Sequence, residues 1–161
     1  MTRTAFIIGA RGFVGSNTVR SFLEGGWTVH CFGPAMEPNM LAGLEDRIVE
    51  IEGSVEDSAA MARAMKDCGA DVVITFAAFA AGSGGLARSG EQNADRAFDI
   101  NVTGLRRTFD AALEADVRRV LWSSSTTLYG PSEFYPRRRI DETTLERSTM
   151  LACSLSRRRS R

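Results

Sequence analysis

The stretch from Thr4 to Gly15, TAFIIGARGFVG, constrains this chain more than any other. Its first five residues are apolar and β-branched in the manner of a short buried strand, and glycines follow at Gly9, Gly12 and Gly15. Gly9 permits a tight turn after the strand. Gly12 has no side chain, so a diphosphate can approach its backbone, and Gly15 lets a helix lie close on the strand. The free N–H groups at the start of that helix carry partial positive charge and suit an anion. Three spaced glycines alone are a weak signal. A strand before them and a helix after them make a dinucleotide-binding turn, with Gly9, Arg11, Gly12, Phe13, Val14 and Gly15 as the residues placed to meet the cofactor. Val14, Thr18, Val19, Phe22 and Leu23 share one face of a helix over 12–24, and Gly25-Gly26 ends it.

The rest of the chain repeats this alternation. WTVHCF, Trp27–Phe32, reads as a second strand stopped by Gly33-Pro34, and Ile48–Ile51 as a short third. Asp57 or Ser58 can cap the next helix, where Met61, Ala64, Met65 and Cys68 recur on one side. DVVITFAA, residues 71–78, is apolar on both faces, as an internal parallel strand should be. A long helix is expected over 91–115, with Phe98, Val102, Leu105, Phe109 and Ala112 as its buried face, and a fifth strand over 118–125. The glycine-rich segment 79–90 reads as a mobile loop. Strands alternating with helices over short links predict an α/β fold, a Rossmann-like doubly wound parallel sheet.

Composition narrows the class of protein. The chain has 161 residues and a formal net charge of zero, so no global field favours nucleic acid or a membrane surface. The charge is uneven, however: residues 137–161 hold eight arginines against three acids. The expected division is therefore a dinucleotide-binding domain over 1–135 and a partly disordered basic tail over 136–161. The three cysteines, Cys31, Cys68 and Cys153, have neither metal-ligand nor disulfide-framework spacing. His30 lies in the second strand and is expected to be structural. The apolar start runs at once into glycines, unlike a signal peptide, and Val72–Ala81 is too short to span a bilayer. These features lead to the expectation of a cytoplasmic protein with reduced thiols and no metal.

The end of the second strand bears on cofactor choice. A dinucleotide site commonly places an acid there for the adenosine ribose, whereas an arginine accommodates a 2′-phosphate. This strand ends in Gly33, and the nearest acid, Glu37, lies beyond a proline. Arg11 stands just before Gly12. It is placed either to meet a 2′-phosphate or to remain a solvated loop arginine, and the balance leans toward NADP over NAD.

Taken in order, these motifs resemble the extended short-chain dehydrogenase/reductase family, the NAD-dependent epimerase/dehydratase group. GARGFVG matches its glycine motif. GSVED, 53–57, stands where the family has Gly-Asp-x-x-Asp, with Ser54 in place of the first acid and Asp57 kept. DVVITFAA matches the fourth strand, with Thr75 where a histidine is common and Ala77 and Ala78 expected to line the cofactor. NVTG, 101–104, matches the helix asparagine motif through Asn101, and LWSSSTTLYG, 121–130, the serine cluster after strand five. The resemblance implies a nicotinamide dinucleotide as partner, a sugar nucleotide or small carbonyl or alcohol as substrate, and a C-terminal substrate domain that this chain lacks. It leaves open a homo-oligomer.

The implied catalytic set is a serine after strand five, then Tyr-x-x-x-Lys. Ser125 takes the serine position and is expected to hydrogen-bond a substrate hydroxyl, with Ser124 and Thr126 as neighbouring candidates; a plain strand-capping role is the alternative. In the best register TMLACSL, 149–155, overlies the tyrosine–lysine helix, which puts Leu151 at the tyrosine and Leu155 at the lysine. Leucine has neither a proton to give nor a charge to depress a pKa. YPRRR, 135–139, comes too early, and an arginine fits a compact ammonium's place poorly. The terminal SRRRSR looks like a truncated or frame-shifted end. The expectation is an NAD(P)-dependent oxidoreductase of the epimerase/dehydratase type that is catalytically impaired. The alternatives are a non-catalytic dinucleotide-binding module or an inactive fragment.

Overall fold

A computed structural model describes residues 2–79 and 92–124. Five parallel strands form one sheet in the order β3-β2-β1-β4-β5, where β1 is Thr4–Ile8, β2 Thr28–Gly33, β3 Val49–Glu52, β4 Val72–Thr75 and β5 Arg119–Trp122. The order reverses direction between β1 and β4, which makes this edge of the sheet a topological switch point, with GARGFVG directly above it. By compactness the chain divides into a unit over Met1–Trp122 and another over Ser123–Arg161. The fold described below is that of the first unit.

The side-chain alternation of β1 explains how both faces of the sheet are covered. Ala5 and Ile7 point to one face, where they pack with Val29, Cys31, Val72 and Ile74 against α1, Phe13–Glu24, through Val19, Phe22 and Leu23. Phe6 and Ile8 point to the other, where Phe32, Val73, Met61, Met65, Ala111 and Ala112 complete a second core. Helices α2, Ser58–Asp67, and α4, Gly104–Glu114, supply that cover. Each fully buried Val, Leu, Ile, Phe or Met side chain contributes about 1.5–3 kcal/mol, so the two cores together outweigh any single polar contact in this domain. Between β2 and β3 no helix forms among the described residues beyond the 3-10 turn Glu45–Arg47. The first face is sealed there by Leu41, which is fully buried.

Four sequence expectations need correction. Strand five is shorter than 118–125, running only from Arg119 to Trp122, and β4 likewise stops at Thr75 rather than residue 78. The buried face of the long helix is also different. The helical run passes from α3, Ala94–Phe98, through a π-helical turn, Asp99–Thr103, into α4. The wider turn advances the helical phase, so the expected face does not continue through it. Phe98 and Val102 are more than half exposed; Ala112 is buried as expected, but Gly104, Thr108 and Ala111 share the buried face with it. Small residues win this face because α4 approaches the loop after β3 closely: a Cβ on Gly104 would lie 2.7 Å from Val55 Cγ2. Phe109 turns instead to an edge-on contact with Trp122, ring centroids 5.5 Å apart. In α1, Val14 is exposed rather than part of the core face.

Candidate functional site

The site begins at the end of β1. Gly9 adopts a left-handed φ of 77°, and its amide donates to Phe32 O at 3.0 Å, so the turn is anchored to the end of β2. A Cβ at this position would lie 3.0 Å from Phe76 C and 3.1 Å from Ala77 N, which shows how tightly the exit of β4 closes on the turn. Gly15 is demanded by packing: a Cβ there would sit 2.2 Å from Gly9 O. Gly12 differs. The nearest atom to a Cβ on Gly12 is Gly9 O at 3.5 Å, an ordinary contact, so the interior does not require glycine there. What a side chain at position 12 would fill is the space in front of the helix start.

That helix start is bare. Gly12 is the N-cap of α1 and has no side chain to cap it, and no acid stands in the first turn. Ser16 N–H makes the first bond back, 2.8 Å to Gly12 O. Among the described residues none accepts from the amides of Phe13 or Val14, and both side chains are exposed. Such a terminus concentrates unspent donors and partial positive charge at one point. The residues fit a diphosphate group there: a bare backbone, free donors, and a switch point between β1 and β4.

The remaining predicted residues divide. Ala77 is half-buried, its amide held 3.3 Å from Thr75 Oγ1, and it stands beside Gly9; Ala78 is exposed. Asn101 lies in the π-helical turn, where Oδ1 accepts from the Phe79 amide at 2.7 Å. It therefore ties the segment leaving β4 to the helix behind it. Asp57, expected among the cofactor-binding residues, is the N-cap of α2, its Oδ1 accepting from Ala60 N–H at 2.9 Å, so this oxygen is engaged in capping. Ser54 is a partner of Glu56: its hydroxyl donates to Oε2 at 2.9 Å, and Arg96 holds the same carboxylate. These contacts, the Arg96 bond before the Ser54 bond, keep Glu56 below the usual carboxylate range. Ser125, Leu151, Leu155, Tyr135 and the loop 80–91 lie outside the described residues.

Arg11 is where sequence reasoning missed most. It is not a solvated loop arginine. Nε donates to Glu50 Oε2 at 2.8 Å, and Nη1 donates to Gly33 O at 2.7 Å and Pro34 O at 2.9 Å. Its side chain is 13% exposed. Glu50 escaped notice because it sits on β3, far from the glycine motif in sequence; only the parallel register, Glu50 opposite Cys31, brings it to the turn. Cys31, fully buried beneath this pair, has its thiol pushed up to about 12, chiefly by burial and then by the Glu50 charge.

The NAD dependent epimerase/dehydratase family model matches residues 5–154. The chain belongs to that family. Among curated relatives it is 27% identical over 124 residues to a UDP-glucose 4-epimerase of Lactobacillus helveticus, an alignment covering 77% of this chain and 36% of that one. It is 29% identical over 150 residues to a UDP-glucose 4-epimerase of Bos taurus, covering 84% of this chain and 41% of that one. A solved UDP-glucose 4-epimerase from Stenotrophomonas maltophila, with bound NAD and formylated UDP-arabinopyranose, superimposes with a TM-score of 0.77 at 20% identity, over 97% of this chain and 48% of that one. The chain thus spans about two-fifths of those two curated relatives. The shared fold is the Rossmann-like sheet described above. Among the described residues no helix is long and apolar enough to cross a membrane.

Proposed function

We propose that this chain is the nicotinamide-dinucleotide-binding part of an epimerase/dehydratase-type oxidoreductase, with the cofactor diphosphate on the Gly9–Gly15 turn. The observation that carries the reading is the contrast between Gly15 and Gly12: packing requires the first to be glycine and leaves the second free. A bare position at an uncapped helix start is what a ligand's close approach needs and what stability alone does not. Phe13 and Val14 offer their amides to the diphosphate. Ala77 borders the turn from the exit of β4, Ala78 follows it toward the cofactor, and Asn101 positions that exit through Phe79. When bound, the nicotinamide supplies hydride exchange with an alcohol or carbonyl carbon.

The cofactor is NAD. The lean toward NADP rested on a free Arg11, and this guanidinium already has Glu50 and two carbonyls as partners. That the Stenotrophomonas maltophila epimerase is solved with bound NAD points the same way. The substrate class is a sugar nucleotide, supported by the relatives' named activity. Ser125 is the group for the substrate hydroxyl. With Leu151 and Leu155 in the tyrosine and lysine positions, turnover by this polypeptide is impaired, since a positioned acid–base contributes about 10²–10⁴ in rate. The second reading, a dinucleotide-binding module without catalysis, rests on those same two leucines.

Calorimetric titration of the full chain with NAD and with NADP, alongside an assay for UDP-sugar epimerisation, tests both. Saturable NAD binding with little turnover is expected. No binding of either dinucleotide would remove the proposal, and rapid turnover would show that the acid–base lies elsewhere.

A further inference from the structure

We infer that Glu50 sets the choice between NAD and NADP by occupying Arg11. The inference rests on the dinucleotide reading above and goes beyond it to a residue outside every motif of the glycine turn. Gly33 ends β2 without the acid that would discriminate at the ribose, and Pro34 follows. The discriminating carboxylate is supplied from the neighbouring strand instead. Glu50 on β3 lies opposite Cys31 in register, and its Oε2 accepts from Arg11 Nε at 2.8 Å. Arg11 Nη1 is bound to Gly33 O and Pro34 O, so the guanidinium is fixed at the end of β2, where the adenosine ribose of a dinucleotide lies in this fold.

The electrostatic consequence is direct. An arginine alone at that point would attract a ribose 2′-phosphate. Here a carboxylate cancels its charge, and the same carboxylate repels the phosphate dianion. The pair is sheltered, with side chains only 13% and 26% exposed, so solvent screens it less than a surface pair. A 2′-hydroxyl carries no charge and is indifferent to the pair. Glu50 therefore selects against NADP rather than for NAD, and the arginine that looks like an NADP determinant is held in reserve.

Equilibrium binding to the full chain tests this without catalysis. NAD, NADP and the fragments AMP and adenosine 2′,5′-bisphosphate are titrated by calorimetry into wild type, Glu50→Gln, and the Glu50→Gln/Arg11→Gln double variant, with thermal melting to confirm that each is folded. Wild type is expected to bind NAD at least about tenfold more tightly than NADP, a comparison that needs no variant at all. Glu50→Gln, which keeps the side-chain shape and removes the charge, is expected to improve NADP and the bisphosphate by about tenfold relative to NAD and AMP. The double variant should lose that gain. Wild type preferring NADP, or a Glu50→Gln variant with an unchanged ratio, would overturn the role of Glu50 while leaving the dinucleotide site intact. A wild type that binds neither dinucleotide would overturn both.

Discussion

Two glycines within seven residues of the end of β1, Gly12 and Gly15, look alike in sequence and differ in what they do. At Gly15 an added methyl meets Gly9 O at 2.2 Å and Ala10 Cα at 2.7 Å, backbone atoms that cannot yield. Gly15→Ala is expected to cost about 1–3 kcal/mol through overpacking, seen as a lower denaturation midpoint. Gly12→Ser should do the reverse to the fold. Serine is a favoured N-cap, and its hydroxyl can accept from the first-turn amides, so stability should hold or rise slightly. The same hydroxyl would stand in the diphosphate site proposed above, and NAD affinity should fall at least about tenfold. A Gly12→Ser chain that binds NAD as wild type does would place the anion elsewhere. Cys31 offers a separate check on the buried end of β2. Its thiol rises from the ordinary 9.0 to about 12, so the folded state favours the protonated form. The stability linked to it is complete below about pH 9 and is lost as pH climbs toward 12. Melting temperature should fall less steeply over that window in Cys31→Ala than in wild type.

At the scale of elements, the π-helical turn Asp99–Thr103 decides which residues of the long helix are core. Before the turn, Phe98 is exposed; after it, Gly104, Thr108 and Ala111 face α2 and the loop after β3. Thr108 satisfies its buried hydroxyl by donating to Gly104 O at 2.9 Å, so a polar residue costs little there. The close approach of α4 to Val55 makes the pair a testable unit. Gly104→Ala alone should destabilise despite alanine's better helix propensity, and Val55→Ala should partly relieve it, with a coupling of about 0.5–3 kcal/mol in a double-mutant cycle. Independent effects at the two positions would mean that the helix can simply shift. Asn101 links this turn to the site. Asn101→Ala removes the acceptor of the Phe79 amide at a cost of about 0.5–1.5 kcal/mol, and hydrogen exchange at that amide should quicken. Because Asn101 acts through the segment leaving β4, the variant should weaken NAD binding less than Gly12→Ser does.

For the whole domain, a ligand that binds only the folded state stabilises it by mass action, about 2.7 kcal/mol at a hundredfold excess over its dissociation constant. Saturating NAD should therefore raise the melting temperature of the full chain by several degrees, and UDP-glucose alone should raise it less. Equal shifts from both would argue that the described sheet is not where the dinucleotide binds. The two cores carry this coupling: the turn at Gly9 follows β1, whose alternate side chains lie in both.

Most of this organisation is local and so was legible in the residues. Strand β1, the glycine turn and the N-cap at Asp57 follow from short-range rules: an apolar run, a position without a side chain, a carboxylate three residues before an amide. The parallel sheet follows from their repetition. What stayed hidden depended on neighbours distant in the chain. The phase of the long helix could not be read through a π-helical turn, because a single added residue rotates everything after it. Spacing assigns Val14 to the core, whereas in the first turn of α1 it is exposed. Arg11 looked free until β3, through its register with β2, set Glu50 beside it. Sequence determined that a glycine turn would join β1 to α1. Tertiary contact decided what stands around it, because charge pairing and burial depend on distance in space.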